Sequence, residues 1–71
     1  MNVDREDRVS FADGIEVVAR LADTLHADHP ESLRLAARRI EEDATGAFAR
    51  GVVAGLRALA TGIEDEIALA S

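Results

Sequence analysis

His26 and His29 stand three residues apart, a spacing that puts two imidazoles on one face of a helix, and Asp23, Asp28 and Glu31 lie close by. Zinc takes three or four well-placed ligands. The sequence has no third histidine and no cysteine, so a complete site would need a second copy of the chain. The simpler reading is a histidine favoured by the dipole at a helix C-terminus, followed by a connection residue. Two acidic triplets, Glu41-Glu42-Asp43 and Glu64-Asp65-Glu66, are the next group. Carboxylates that converge from facing helices hold magnesium or di-metal centres. On one continuous helix these triplets lie roughly 34 Å apart. Consecutive acids also point around a helix rather than together, and the Glu-x-x-His spacing of di-iron bundles is absent. Both triplets therefore read as solvated charge. Arg34, Arg38 and Arg39 form a small basic patch, which Glu31, Glu42 and Asp43 can absorb at spacings of three or four. No phosphate-binding glycine loop and no Ser/His/Asp arrangement accompanies these groups. The sequence thus assigns no catalytic residue, no cofactor and no metal ligand.

The chain has 71 residues with 14 acidic and 8 basic side chains, every basic one an arginine, for a net charge of −6. That balance opposes binding to nucleic acid, whose affinity rests on neutralised phosphates, and to anionic lipid. The length excludes a nucleotide-binding α/β domain, and the lack of cysteine excludes a disulfide framework. Hydrophobic residues make up 48%, but 14 of them are alanine, which leaves few large apolar side chains. Small chains of this kind are completed by disulfides, a metal or oligomerisation. Self-association is the one that remains.

Residues 1–10 are half charged and have no apolar period, so a flexible tail is expected there, ahead of one helical domain over 11–71. No apolar stretch of a signal peptide follows, which points to the cytoplasm. Ser10 and Asp13 make a loose capping box. Phe11, Ile15, Val18, Ala22 and Leu25 then recur at steps of four and three, predicting a first amphipathic helix over about 11–28. His29-Pro30 ends it, and Pro30 with Glu31 suits the start of a second helix. One apolar stripe runs on through Leu33, Ala37, Ile40, Ala44, Phe48, Val52, Leu56, Leu59, Ile63 and Ile67. Because the phase carries across Thr45-Gly46, the spacing predicts a single long helix over about 31–69, with Gly46 as its kink point. Thr61-Gly62-Ile63-Glu64 reads as a capping box and marks a second place where the helix would break. The fold expected is all-α, a helical hairpin packed into an oligomeric bundle.

The stretch 44–63 carries only Arg50 and Arg57 as charges. It has membrane-spanning length, but two arginines against so much alanine and glycine argue against insertion. A line of small residues, Ala44, Ala47, Gly51, Gly55, Ala58 and Gly62, runs beside the large ones. Each glycine costs a helix about 1 kcal/mol relative to alanine, so the line implies a close helix crossing. Together these make an interface of Ala44, Ala47, Phe48, Gly51, Val52, Gly55, Leu56, Leu59, Gly62, Ile63 and Ile67. A short first helix covers only half of a long second one, so the rest needs another chain. A break near Gly46 would instead let a three-helix bundle hide much of the stripe in one copy. Phe11-Ala12-Asp13-Gly14 echoes Phe48-Ala49-Arg50-Gly51, but the valines that follow match at a different offset and the echo reads as chance.

The function expected is that of a non-enzymatic accessory or interaction protein that forms a homo-oligomer, a dimer first, with a partner protein also compatible. A metal-dependent enzyme with a site shared between subunits, or a small transcriptional regulator or antitoxin, are the alternatives.

Overall fold

The computed structural model describes the backbone of residues 3–25 and 29–70, with side chains from residue 8 onward. The chain is all-α, with no strand among these residues. It comprises α1 (Val3–Arg20), the single turn α2 (Ala22–Leu25), α3 (Pro30–Asp43) and α4 (Ala47–Ala70). Helix α1 begins at Val3, upstream of the Ser10 start marked by the capping signal, so Ser10 and Asp13 lie inside the helix and cap nothing. It pauses at Leu21, whose N–H is shared between the carbonyls of Val17 and Val18 at 3.2 and 3.1 Å. His26, Ala27 and Asp28, which end the expected first helix, lie outside the described residues.

Proline sets the start of α3 as expected. His29 is extended (ψ 139°), Pro30 occupies the first turn, and the His29 carbonyl accepts from the Ser32 and Leu33 amides. Its end overturns the single long helix. Ala44 is extended and donates back to the Ile40 carbonyl at 2.8 Å, and Gly46 takes φ +110°. The next helix opens with the Arg50 amide on the Gly46 carbonyl. The reversal has a packing cause. Ala37 and Val53 are both buried in one cluster, yet sixteen residues on a straight helix turn them about 160° apart at about 100° per residue. Only a fold back at 44–46 brings them together. Thr61-Gly62 does not break α4, which runs through it unbroken.

The contacts order the helices around α4. Phe11 and Gly14 lie opposite Gly51 while Val18 lies opposite Gly55, so α1 runs parallel to α4. Arg34 meets Thr61 and Glu64 while Arg57 meets Glu41, so α3 runs antiparallel to it. The two outer helices pack on α4 and make no extensive contact with each other. The core is Val18 from α1, Leu33 and Ala37 from α3, and Val53, Leu56, Ala60 and Ile63 from α4. The register at Gly14 and Gly51 lets α1 overhang the start of α4 by seven residues, about 10 Å, which accounts for a molecule 50 Å long built on a 24-residue helix.

Two glycines of this region are expected to respond in opposite directions. Gly46→Ala forces a side chain into a left-handed conformation, at a cost of about 1–3 kcal/mol. Gly62→Ala adds a methyl within α4 that meets nothing within 4 Å and stabilises by about 0.5–1 kcal/mol. Urea unfolding of the two variants beside the wild type measures both.

Candidate functional site

Two faces of α4 carry the small and the large apolar residues singled out in the sequence. The first is the small-residue line. A Cβ placed on Gly51 would strike the Phe11 carbonyl oxygen, would lie 2.9 Å from the Phe11 carbonyl carbon, and would lie 3.1 Å from the Gly14 Cα. One on Gly14 would lie 2.7 Å from the Val52 amide nitrogen and 2.9 Å from the Gly51 carbonyl carbon. The helices therefore meet backbone to backbone, and Gly55 holds the Val18 side chain one turn further on, with 2.9 Å from an added Cβ to the Val18 Cβ. The close crossing is thus filled by the chain's own first helix. Gly14 is the mate of Gly51. The echo of Phe-Ala-x-Gly between residues 11–14 and 48–51 was the available signal, since its two glycines are the ones that touch.

The second face is the strip of α4 between its contacts with α1 and with α3. Phe48, Val52 and Leu59 fall at about 60–100° on the wheel of α4, with the α1-facing Gly51 and Gly55 to one side and the α3-facing Leu56 and Ala60 to the other. Val52 and Leu59 are partly buried against the core, while Phe48 keeps 48% of its surface. Of the expected interface, Ala47, Gly51, Leu56 and Ile63 are buried inside the chain and Gly55 is half-buried under Val18. Ala44, Phe48, Gly62 and Ile67 remain exposed. The partial covering follows from the reversal, which makes α3 available to cover Val53, Leu56, Ala60 and Ile63.

The charged groups are spent on the hairpin rather than gathered into a site. Arg34 donates to Glu64 at 2.5 Å and to the Thr61 hydroxyl at 3.0 Å, so both polar members of the Thr61–Glu64 signal serve α3 instead of capping α4. The hydrogen bond to Glu64 is the main reason that the Arg34 guanidinium holds its proton more tightly than a free arginine; its desolvation opposes this and the carboxylate charge adds to it. Arg57 donates to Glu41, and Arg38 pairs with Glu42 at 3.6 Å. Glu41 and Glu64, one from each acidic triplet, thus face arginines, on levels about 10 Å apart along the hairpin. Exposed ion pairs of this kind contribute little each, about 0–1 kcal/mol, and act here to fix register. Among the described residues no group of three metal-ligating side chains comes together, and no charged or polar side chain is buried. Of the histidine cluster, His26 and Asp28 lie outside the described residues, and His29 is an exposed connection residue.

A cleft of about 430 Å³ sits at the α3–α4 corner, lined by Ala44, Thr45, Ala49 and Val53 with Arg50 and Arg57 at its rim. Glu41 also lines it and is paired with Arg57. Among the described residues no helix is long and apolar enough to cross a membrane. The chain matches no protein-family model, no curated protein and no solved structure.

Proposed function

We propose that this chain is a non-enzymatic interaction protein that acts by packing an apolar helix face against a second copy of itself, as a homodimer. The observation that carries the reading is the apolar surface that α4 leaves uncovered at Phe48, which keeps 48% of its surface beside the partly buried Val52 and Leu59. A half-exposed phenylalanine is a favourable place for a further helix, because burying the rest of its ring adds roughly 1 kcal/mol or more per copy. Ile67, 56% exposed at the far end of α4, extends the apolar surface toward the C-terminus. The acidic balance keeps such a surface soluble and selects against nucleic acid as the partner. The enzyme and regulator readings draw less support, since Arg34, Arg38 and Arg57 meet Glu64, Glu42 and Glu41.

Light scattering over a concentration series tests this. The wild type is expected to rise from its 7.6 kDa monomer mass toward twice that value. Phe48→Glu is expected to stay at the monomer mass with unchanged helical circular dichroism. A wild type that holds the monomer mass up to millimolar concentration would remove the self-association reading.

A further inference from the structure

We propose that the cleft at the α3–α4 corner binds a small organic carboxylate with a short apolar tail, and that Arg50 receives the carboxylate. This goes beyond the self-association reading and does not depend on it, because Phe48 and Arg50 stand about 160° apart around α4.

The cleft has the size and the lining of a small-molecule site. Its volume of about 430 Å³ falls within the range of ligand pockets, roughly 300–1,000 Å³, which are mostly apolar with a few polar groups that fix orientation. Ala44, Ala49, Val53 and Ala54 supply the apolar lining, and Thr45, Glu41 and the two arginines supply the polar part. The arginines are not equivalent. Arg57 donates to Glu41 across the hairpin, so its charge is answered within the chain. Arg50 has Gly46, Ala47, Val53 and Ala54 at the positions three and four residues away, so its own helix offers no acid at the spacing that ion pairs use. Among the described residues it makes no ion pair, in a chain whose acidic side chains outnumber its basic ones by 14 to 8. An unanswered cation beside an apolar cleft is complementary to an anion that carries an apolar body.

The neighbouring ion pair narrows the choice of anion. One guanidinium meets a carboxylate through two parallel N–H···O bonds, which Arg50 can provide by itself. A phosphate dianion would bring a second charge toward Glu41, while Arg57 is already engaged by that same side chain. The carboxylate therefore sits at Arg50. The tail runs over Val53 and Ala54 toward Arg57, about 10 Å further along α4, whose methylene stem is itself apolar.

Hexanoate is the probe, titrated into the isotope-labelled full chain at matched salt, with the amide spectrum as the readout. The amides of residues 45–54 are expected to shift along saturating curves. Hexanol, acetate and inorganic phosphate are expected to bind at least about tenfold more weakly, the loss expected when a hydrogen bond to a charged group or the apolar contact is missing. Arg50→Gln, at an exposed position, is expected to weaken hexanoate by about tenfold with its melting curve unchanged. Ala54→Leu keeps the arginine but fills the cleft, and is expected to weaken it to a similar extent. Phe48→Glu is expected to bind hexanoate as the wild type does, which separates this site from the self-association surface. Shifts that fail to saturate, equal binding of hexanol, or full affinity in either Arg50→Gln or Ala54→Leu would overturn the site. A loss of binding in a folded Phe48→Glu chain would place the carboxylate on the other face and overturn it too.

Discussion

Gly51→Leu is expected to detach α1 from α4 and lower the melting temperature by at least about 10 °C. The reason lies in what the new side chain meets. Overpacking a core with a flexible neighbour costs about 1–3 kcal/mol, but here the obstacle is the backbone of Phe11 and Gly14, which cannot rotate aside. The helices must separate by a side-chain layer, and Val18 loses its place against Gly55. A chain of this size carries a total stability of only about 4–10 kcal/mol, and each kcal/mol moves the midpoint of a small domain by about 4–8 °C. Arg50→Leu, one residue earlier, is the control. Arg50 is exposed, and its replacement is expected to stay within about 0.5 kcal/mol of the wild type. Thermal melts followed by circular dichroism separate the two, and equal losses at both positions would contradict the crossing.

Ala60→Asp is expected to leave the chain unfolded at neutral pH. Ala60 has no exposed surface and lies between Leu33 and Ala37 of α3 and Val53, Leu56 and Ile63 of its own helix. A carboxylate there is set among apolar side chains, and burying an unpaired charge costs several kcal/mol after relaxation, most of the stability available. The penalty falls on the charged form. It is therefore absent below the ordinary aspartate value near 4 and grows as the pH rises above it, because burial lifts the folded-state value of the introduced group. Ala58→Asp, two residues earlier and exposed, is expected to change stability by no more than about 0.5 kcal/mol. Urea titrations of both variants at pH 4 and pH 7 measure the difference, and a folded Ala60→Asp chain at pH 7 would place the α3-facing side of α4 elsewhere.

Much of the architecture was legible in the residues. Pro30 starts α3 because its fixed φ and missing donor suit a first turn. Within the small-residue line of α4, Gly51 and Gly55 meet α1 closely while Gly62 meets nothing within 4 Å, so a glycine in a helix interior has a steric reason at only part of the line. What could not be read from α4 alone was which helix approaches it, because Gly51 offers the same cleared backbone to a partner copy and to α1. The reversal at 44–46 was hidden for a related reason. Leu33 and Gly51, eighteen residues apart, fall on one face of an undistorted helix, so the apolar face of α3 ran on into the small-residue line of α4 without a visible fault. The residues that meet α3, Val53, Leu56, Ala60 and Ile63, sit about 120–200° around from it, a rotation that a stripe drifting at a mean spacing near 3.7 conceals. Gly46 with its positive φ was the local clue, and it reads equally as a kink. The cross-helix ion pairs of Arg34 and Arg57 depend on that reversal, so they were out of reach of a sequence whose nearer acids, Glu31 and Asp43, offered local partners instead.

The decisive question is whether the cleared face of α4 holds a glycine-bearing α1. A nuclear Overhauser spectrum of isotope-labelled protein answers it directly. Cross-peaks are expected between the α-protons of Gly14 and Gly51, and between those of Gly55 and the methyls of Val18. A spectrum without these peaks, in which Gly51 instead meets side chains of residues 30–43, would contradict the arrangement.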